Sequence, residues 1–256
     1  MILYFSATGN IQYAVQQIAK ATGDTIVSIR NHIEDEHPRF HLKDHENFGI
    51  VMPTYFQGLP AFVQDFLKMM KLTMDGTDHY AYSVATCGMS DGNFGSQAVK
   101  AMKNSGLALD STLCIRMVDN WNPHFDMTDR SYIEQAEQRT ETDIEKVCAQ
   151  IAAKEKGIFL PDHFGHDKEE ELAKAYEQSR KTENFTVNES CIGCGMCARQ
   201  CPVHAIGIKH KSPEWIKEQC ILCLGCVHKC PKNAIAYTEN TIGHGQYTNP
   251  NIKTIK

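Results

Sequence analysis

No stretch of the 256-residue sequence reaches the ~18 consecutive apolar residues that a membrane helix requires. The start is not that of an export signal either: Met1-Ile2-Leu3-Tyr4-Phe5 reads as a strand, with no basic segment before an apolar core and a small-residue cleavage site. These absences predict a soluble, unexported, cytoplasmic protein with no membrane partner. A G-x-G-x-x-G fingerprint after a strand is missing, so no dedicated dinucleotide domain is expected and electrons are predicted to arrive from another protein. There is no helix-turn-helix pattern or basic stripe, which argues against nucleic-acid binding. Cysteine is scarce over most of the chain. Outside residues 191–230 only Cys87, Cys114 and Cys148 occur, among apolar or helical residues where buried structural thiols are expected.

What the chain does hold is concentrated. Eight of its 11 cysteines lie between Cys191 and Cys230 in two short-spaced groups, which is ligand spacing and points to a reducing compartment, not a disulfide scaffold. The net charge of −5 is divided: residues 1–180 carry 17 Lys/Arg against 26 Asp/Glu, and residues 181–256 carry 9 against 5. A cubane with four thiolates brings about two negative charges, so the cationic excess of the second part reads as compensation for bound clusters.

Along the first 156 residues, short strand-like runs alternate with helical stretches, the signature of βαβ units and a parallel sheet. Strands are predicted at Ile2–Ser6, Thr25–Ile29, Phe48–Pro53, His79–Thr86 and Thr112–Val118. Helices are predicted near Asn10–Ala21, Pro60–Leu72, Gly92–Ser105 and Ser131–Lys154. Five parallel strands with helices on both faces fit a flavodoxin-like α/β fold of order 2-1-3-4-5. Residues 157–182 read as a linker with one helix, in which the Asp167–Glu171 charge run is a solvated face and the His163–His166 pair lies at the surface. Residues 183–239 form a second, α+β domain, and 240–256 a C-terminal tail.

The second domain is an internal repeat of 29 residues. Cys191-Ile192-Gly193-Cys194-Gly195-Met196-Cys197 followed by Cys201-Pro202 recurs as Cys220-Ile221-Leu222-Cys223-Leu224-Gly225-Cys226 followed by Cys230-Pro231, and Ala205-Ile206 recurs as Ala234-Ile235. Such a repeat predicts two halves related by a pseudo-twofold axis. Two C-x2-C-x2-C-x3-C-P runs are the pattern of bacterial two-cluster ferredoxins, in which the fourth Cys of each run ligates the other cluster. One [4Fe–4S] cluster is therefore assigned to Cys191, Cys194, Cys197 and Cys230, and the second to Cys220, Cys223, Cys226 and Cys201. Paired C-x2-C groups also serve zinc ribbons, but eight cysteines closed by two Cys-Pro steps oversupply one zinc site. Over about 55 residues the segment resembles the bacterial ferredoxin family.

Directly after the first strand comes Ser6-Ala7-Thr8-Gly9-Asn10-Ile11, a short polar loop opening a helix, where unpaired N–H groups and the helix dipole attract phosphate. Ser6, Thr8 and Asn10 add side-chain donors, and Gly9 allows close backbone approach. The loop resembles the flavodoxin phosphate loop, [ST]-x-T-G-N-[ST], and departs from it where Ile11 replaces a hydroxyl. Two further loops at the ends of the third and fourth strands resemble those by which flavodoxins hold the isoalloxazine of FMN. One offers Thr54, Tyr55, Phe56 and Gly58, the other Thr86, Cys87 and Gly88. Trp121, after the fifth strand, is either a third aromatic candidate for stacking on the ring or a core residue.

A flavodoxin-like domain followed by a two-cluster ferredoxin resembles the fused flavodoxin–ferredoxin proteins of anaerobic bacteria, the EFR-type ferredoxin family, across nearly the whole chain. Their tails often carry an aromatic before an Asn-Pro step, as Gln246-Tyr247-Thr248-Asn249-Pro250 does here, which implies a tail packed between domains. FMN and two [4Fe–4S] clusters are the implied cofactors, and redox proteins the implied partners. The favoured function is electron transfer, because a flavin exchanges one or two electrons and a cubane one. An FMN-dependent reductase of a small substrate, fed by the clusters, is the alternative. A cluster-based sensor ranks behind both.

Overall fold

Short apolar strands that are buried on both faces need a helix on each side, and the first 160 residues supply them in alternation. The computed structural model describes residues 1–103, 105–160 and 168–252. In chain order the first part runs β1 (Ile2–Tyr4), α1 (Asn10–Thr22), β2 (Ile26–Ser28), β3 (Arg39–Leu42), β4 (Phe48–Pro53), α2 (Ala61–Met69), β5 (Lys71–Met74), β6 (Ala81–Cys87), α3 (Phe94–Met102), β7 (Ser111–Arg116), α4 (Arg130–Ala152) and β8 (Gly157–Phe159). Six strands form one parallel sheet of order β2-β1-β4-β6-β7-β8. Every residue of β4 and β6 is buried. Leu3, Ile50 and Met52 pack with Val63, Phe66 and Leu67 of α2 and Phe94 and Ala98 of α3 on one face. Ile2, Val51 and Val84 pack with Val15 and Ile18 of α1 and Val147 and Ile151 of α4 on the other.

The five predicted strands stand in the predicted order, and the sheet has a sixth. Gly157–Phe159, read from the sequence as linker, pairs with Ser111–Leu113. Three residues are too few to show a period, and what holds them is the exposed edge of β7 together with the Gly157 N–H donated to the Asp110 carbonyl at 3.0 Å. The helix predicted to reach Leu72 stops at Met69. Met70 turns extended, and Lys71–Met74 pair in parallel with Arg39–Leu42 as a separate two-stranded ribbon. Pro161–Asp167, which hold His163, His166 and the first residue of the charge run, lie outside the described residues.

One position in the sheet is fixed by space. Gly49 of β4 pairs with Tyr82 of β6, and a Cβ at residue 49 would sit 2.4 Å from the Tyr82 ring. Both neighbours are fully enclosed. Gly49→Ala is expected to lower stability by about 1–3 kcal/mol through overpacking, read as a fall in the denaturation midpoint at unchanged m-value.

The remaining described residues form α5 (Glu169–Ser179), β9 (Phe185–Val187), α6 (Met196–Arg199), β10 (Ile206–Lys209), β11 (Ser212–Trp215), α7 (Gly225–His228) and β12 (Ile235–Tyr237). The 29-residue repeat is visible here, since α6 and α7, and likewise β10 and β12, begin that distance apart. The strand before the first Cys run, β9, pairs with the strand after the second, β12, while β10 pairs with β11. Each half thus borrows a strand from the other, and Phe185 stacks on Trp215 between them, centroids 4.9 Å apart at 14°. Among the described residues no helix is long and apolar enough to cross a membrane.

Candidate functional site

Strands of a parallel sheet end together, so the loops after β1, β4, β6 and β7 converge at one edge. There they enclose a cavity of about 440 Å³ lined by Ser6, Thr8, Asn10, Ile11, Thr54, Tyr55, Phe56, Thr86, Cys87, Gly88 and Trp121. Of the predicted flavin-site residues only Gly9 and Gly58 are not in the wall. Gly9 caps α1 in a left-handed conformation, φ 100°, and donates its N–H to Ser6 Oγ at 3.1 Å. Gly58 closes the tight turn Tyr55–Gly58, whose ends exchange two backbone hydrogen bonds of 2.9 and 3.0 Å.

The polar groups of the wall differ in what they have left to give. Thr54 Oγ1 is buried with no protein partner and Thr54 lines the cavity. Such an orphan costs about 1–3 kcal/mol unless a ligand satisfies it. Ser6 Oγ and Thr8 Oγ1 each accept a bond, from the Gly9 N–H and the Asn120 amide, which leaves each hydroxyl hydrogen to donate. Asn10 departs from the expectation of a free donor. Its Nδ2 donates to the Val118 carbonyl at 3.1 Å and its Oδ1 accepts from Asn249 Nδ2 at 3.1 Å, so its side chain braces loops. The first-turn N–H groups of α1, which a helix leaves without intrahelical acceptors, lie at the same loop.

The aromatic groups are held by backbone strain. Phe56 and Gln57 both adopt positive φ, 48° and 56°, where glycine or asparagine is usual, costing about 1–2 kcal/mol per residue. The turn sets Phe56 against Trp121, 5.7 Å between centroids, and against Tyr176 of α5, 5.6 Å. Trp121 in turn contacts Tyr237 of β12. Half-buried Trp121 thus lines the cavity and packs against the second module, so it is not a residue of the sheet core.

Asp119 and the leucines flanking Cys223 were not put forward from sequence as residues of this wall, yet they line it. Burial raises the carboxyl of half-buried Asp119 above the ordinary range, although it accepts the Trp121 N–H at 3.0 Å. Leu222-Cys223-Leu224, from the second Cys run, close the cavity from the opposite side. Strand periodicity within one module carries no information about a wall contributed by the other.

One of the two predicted cysteine sets lines a common space. Cys191, Cys194, Cys197 and Cys230 surround one small space together with Gly193, Gly195 and Ile208. Cys197 is influenced by Cys194 and Cys230, and Cys220 by Cys223 and Cys201. Burial pushes the Cys220 thiol up to about 12 and raises Cys223 and Cys226 as well. Buried thiols of this kind keep their protons unless a cation takes their place, which suits them to iron. Backbone N–H groups point at the sulfurs in equivalent places, from Ala205 to Cys201 at 3.2 Å and from Ala234 to Cys230 at 3.3 Å.

The two Cys loops have the same backbone and different residues. Gly193 and Gly195 have φ of 67° and 70°, while their repeat partners Leu222 and Leu224 have 54° and 51°. The second loop accepts this strain, and both leucines are buried in the apolar cluster that joins Tyr55, Phe56 and Trp121 to Phe185, Val227 and Tyr237. The first loop faces outward, with Cys194 and Ile192 exposed.

Polar contacts fix the docking. His228 Nδ1 accepts the Tyr247 N–H at 3.2 Å, which leaves Nε2–H to donate to the Asn120 carbonyl at 2.8 Å, and burial pushes the imidazole down to about 4, keeping it neutral. The Arg30 guanidinium donates to the Gln200 carbonyl. The tail runs across both parts: Gln246 donates to the Val227 and Cys230 carbonyls, and the Asn249 N–H donates to the Thr8 carbonyl at 2.9 Å.

Residues 190–235 match the family model described as a 4Fe-4S dicluster domain. No curated protein matches the chain. Among solved structures, a protein assigned as a flavoprotein from Bacteroides uniformis ATCC 8492 is 19% identical, with a TM-score of 0.34 over 45% of this chain and 88% of that one. The rubredoxin oxygen:oxidoreductase of the anaerobe Desulfovibrio gigas is 13% identical, with a TM-score of 0.32 over 59% of this chain and 36% of that one. The chain thus joins a six-stranded parallel α/β unit to a region similar to iron–sulfur dicluster domains.

Proposed function

We propose that the protein is an electron carrier that holds FMN in the cavity at the sheet edge and two [4Fe–4S] clusters on the crossed cysteine sets. The observation that carries this reading is the wall shared between the modules: Cys223, an assigned ligand of the second cluster, lines the same cavity as Ser6, Thr54, Tyr55 and Trp121. Electron exchange falls steeply with distance, and a thiolate in the wall puts one cluster beside the flavin. When bound, the flavin supplies conversion between two-electron and one-electron chemistry, which a cubane alone lacks. The chain's own residues do the rest. Ser6, Thr8 and the α1 N-terminus bind phosphate, Thr54 donates to the ring system, and Leu222 and Leu224 keep water from the gap. The exposed Cys194 loop offers the first cluster to a redox partner protein.

Anaerobic purification with iron and flavin analysis tests the reading, with visible spectra and low-temperature electron paramagnetic resonance. One FMN and two clusters per chain are expected, and iron without flavin would remove the carrier as described. With Cys194 exposed, exposure to air is expected to bleach the broad cluster absorbance and abolish the signals seen after reduction. Retention of all cluster iron after prolonged aeration would contradict the proposed outward placement.

The reductase reading is favoured by one feature, that Met89, which lines the cavity together with Asp119 and His124, is exposed. Turnover with a defined small acceptor, faster than electron delivery to any redox protein tried, would replace the carrier by the enzyme.

A further inference from the structure

Behind the cavity wall, two thiols outside the two cysteine runs lie side by side. Cys87, the last residue of β6, and Cys114 of β7 point to the same face of the sheet, with their sulfurs 3.3 Å apart and hydrogen-bonded. Both are buried in the apolar cluster beneath α2 and α3, and Cys87 reaches through to line the cavity. The third thiol outside the cluster runs, Cys148, packs on the opposite face of the sheet. The pairing is therefore local to the cavity wall.

A pair of cysteines chosen only as small apolar fillers has no reason to place sulfur against sulfur under a ligand wall. A disulfide bond is about 2.05 Å long, so closing this one takes a shift of a little over an ångström. The strand register sets its character. Cys114 pairs with Ala85, two residues before Cys87, so the two cysteines stand diagonally across neighbouring strands. Closure draws the strand ends together, and disulfides formed against such resistance are the labile, exchanging kind.

We propose that Cys87 and Cys114 form a reversible dithiol–disulfide centre that exchanges two electrons with the isoalloxazine held in the cavity above it. This rests on the flavin reading. In the oxidising direction the two S–H bonds break and one S–S bond forms. Two electrons and two protons leave the thiols, the electrons and at least one proton passing to the oxidised ring and the balance of the protons to solvent. The reverse direction consumes a reduced flavin and regenerates both thiols. The thiol facing the cavity, Cys87, meets the ring, while Cys114, buried against it, resolves. The chain then holds a two-electron store beside its one-electron clusters.

The test uses anaerobic holoprotein equilibrated over a series of dithiothreitol and oxidised dithiothreitol ratios. After acid quench, free thiols are alkylated in denaturant, and the tryptic peptides carrying Cys87 and Cys114 are quantified by mass spectrometry. The expected result is joint loss of alkylation at both residues and a disulfide-linked peptide pair, with Cys87 staying reduced at the same poise in Cys114→Ser. Full alkylation of both across the series, or equal oxidation of Cys87 in the variant, overturns the proposal. Coupling to the ring is read separately. Dithionite titration of oxidised holoprotein should take up two more electrons in wild type than in Cys114→Ser, and equal uptake overturns the exchange. The same titration on protein stripped of flavin distinguishes the two readings. Failure of the stripped protein to take up FMN sinks the flavin site, whereas the poised thiol measurement still reports whether the pair closes.

Discussion

Cys201→Ala is expected to remove one cluster and spare the other, and the cluster lost is the one its own run does not surround. Cys201 follows Cys191, Cys194 and Cys197 in sequence, yet its sulfur influences Cys220, Cys223 and Cys226. The measurement is native-state alkylation of anaerobic protein with peptide mapping, alongside iron content. Iron should fall by half, and Cys220, Cys223 and Cys226 should become reactive while Cys191, Cys194, Cys197 and Cys230 stay protected. Cys230→Ala should invert the pattern. Because α6, α7 and short strands supply few buried residues of their own, loss of a cluster is also loss of folding free energy, and a lower unfolding temperature should accompany it. Reactivity confined to the Cys191 run in Cys201→Ala would show that each run wraps a single centre and that the crossed assignment is wrong.

The second large effect is expected at Ile11, where the phosphate loop departs from the flavodoxin pattern. A hydrogen bond to a charged group contributes roughly 1.5–3 kcal/mol, so the hydroxyl introduced by Ile11→Thr should tighten FMN about ten- to a hundredfold. Riboflavin, which lacks the phosphate, should bind nearly unchanged. Ile11 is 5% exposed and packs with Ala14, Val15 and Ile18 as well as lining the cavity, so the same change removes core contacts. A stability loss of about 1–2 kcal/mol is expected beside the gain in affinity. Titrating both flavins into wild-type and variant apoprotein separates the two effects, because packing acts on both ligands and the hydroxyl on one. Equal shifts would mean that residue 11 works through the core. Binding of neither flavin would withdraw the flavodoxin-like assignment of the cavity.

How much of this could be read in the sequence follows from the range of each signal. The two Cys runs are local in spacing and separated by a fixed repeat, so two related halves were legible before any coordinates, whereas the helices and strand pairs that build them were not. The sheet was legible for the same reason, since strands such as Phe48–Pro53 are apolar throughout. Gly157–Phe159 were not, because three residues beside Lys154, Glu155 and Lys156 show no period and become a strand only against the free edge of β7. Asn10 looked like a ligand donor from its motif, but its bonds go to Val118 and Asn249, 108 and 239 residues away. No motif contains that fact.

The chemistry proposed for this protein rests on patterns that short stretches of the chain carry alone. Thiolate spacing, a polar loop opening a helix and alternating apolar runs are set by neighbours a few residues apart, and local sterics and periodicity suffice to fix them. How the two modules meet is visible in the folded chain and in no short stretch of it. That junction is made by Leu222 and Leu224 in strained conformations, by Tyr176 of the supposed linker against Phe56, and by His228 donating to Asn120 across 108 residues. Its energy comes from apolar surfaces and buried polar pairs that exist only once both modules are folded and docked. The placement of Cys223 in the cavity wall, and of Cys87 against Cys114 beneath it, follows from that docking and from strand register, and neither is written in any local stretch of the chain.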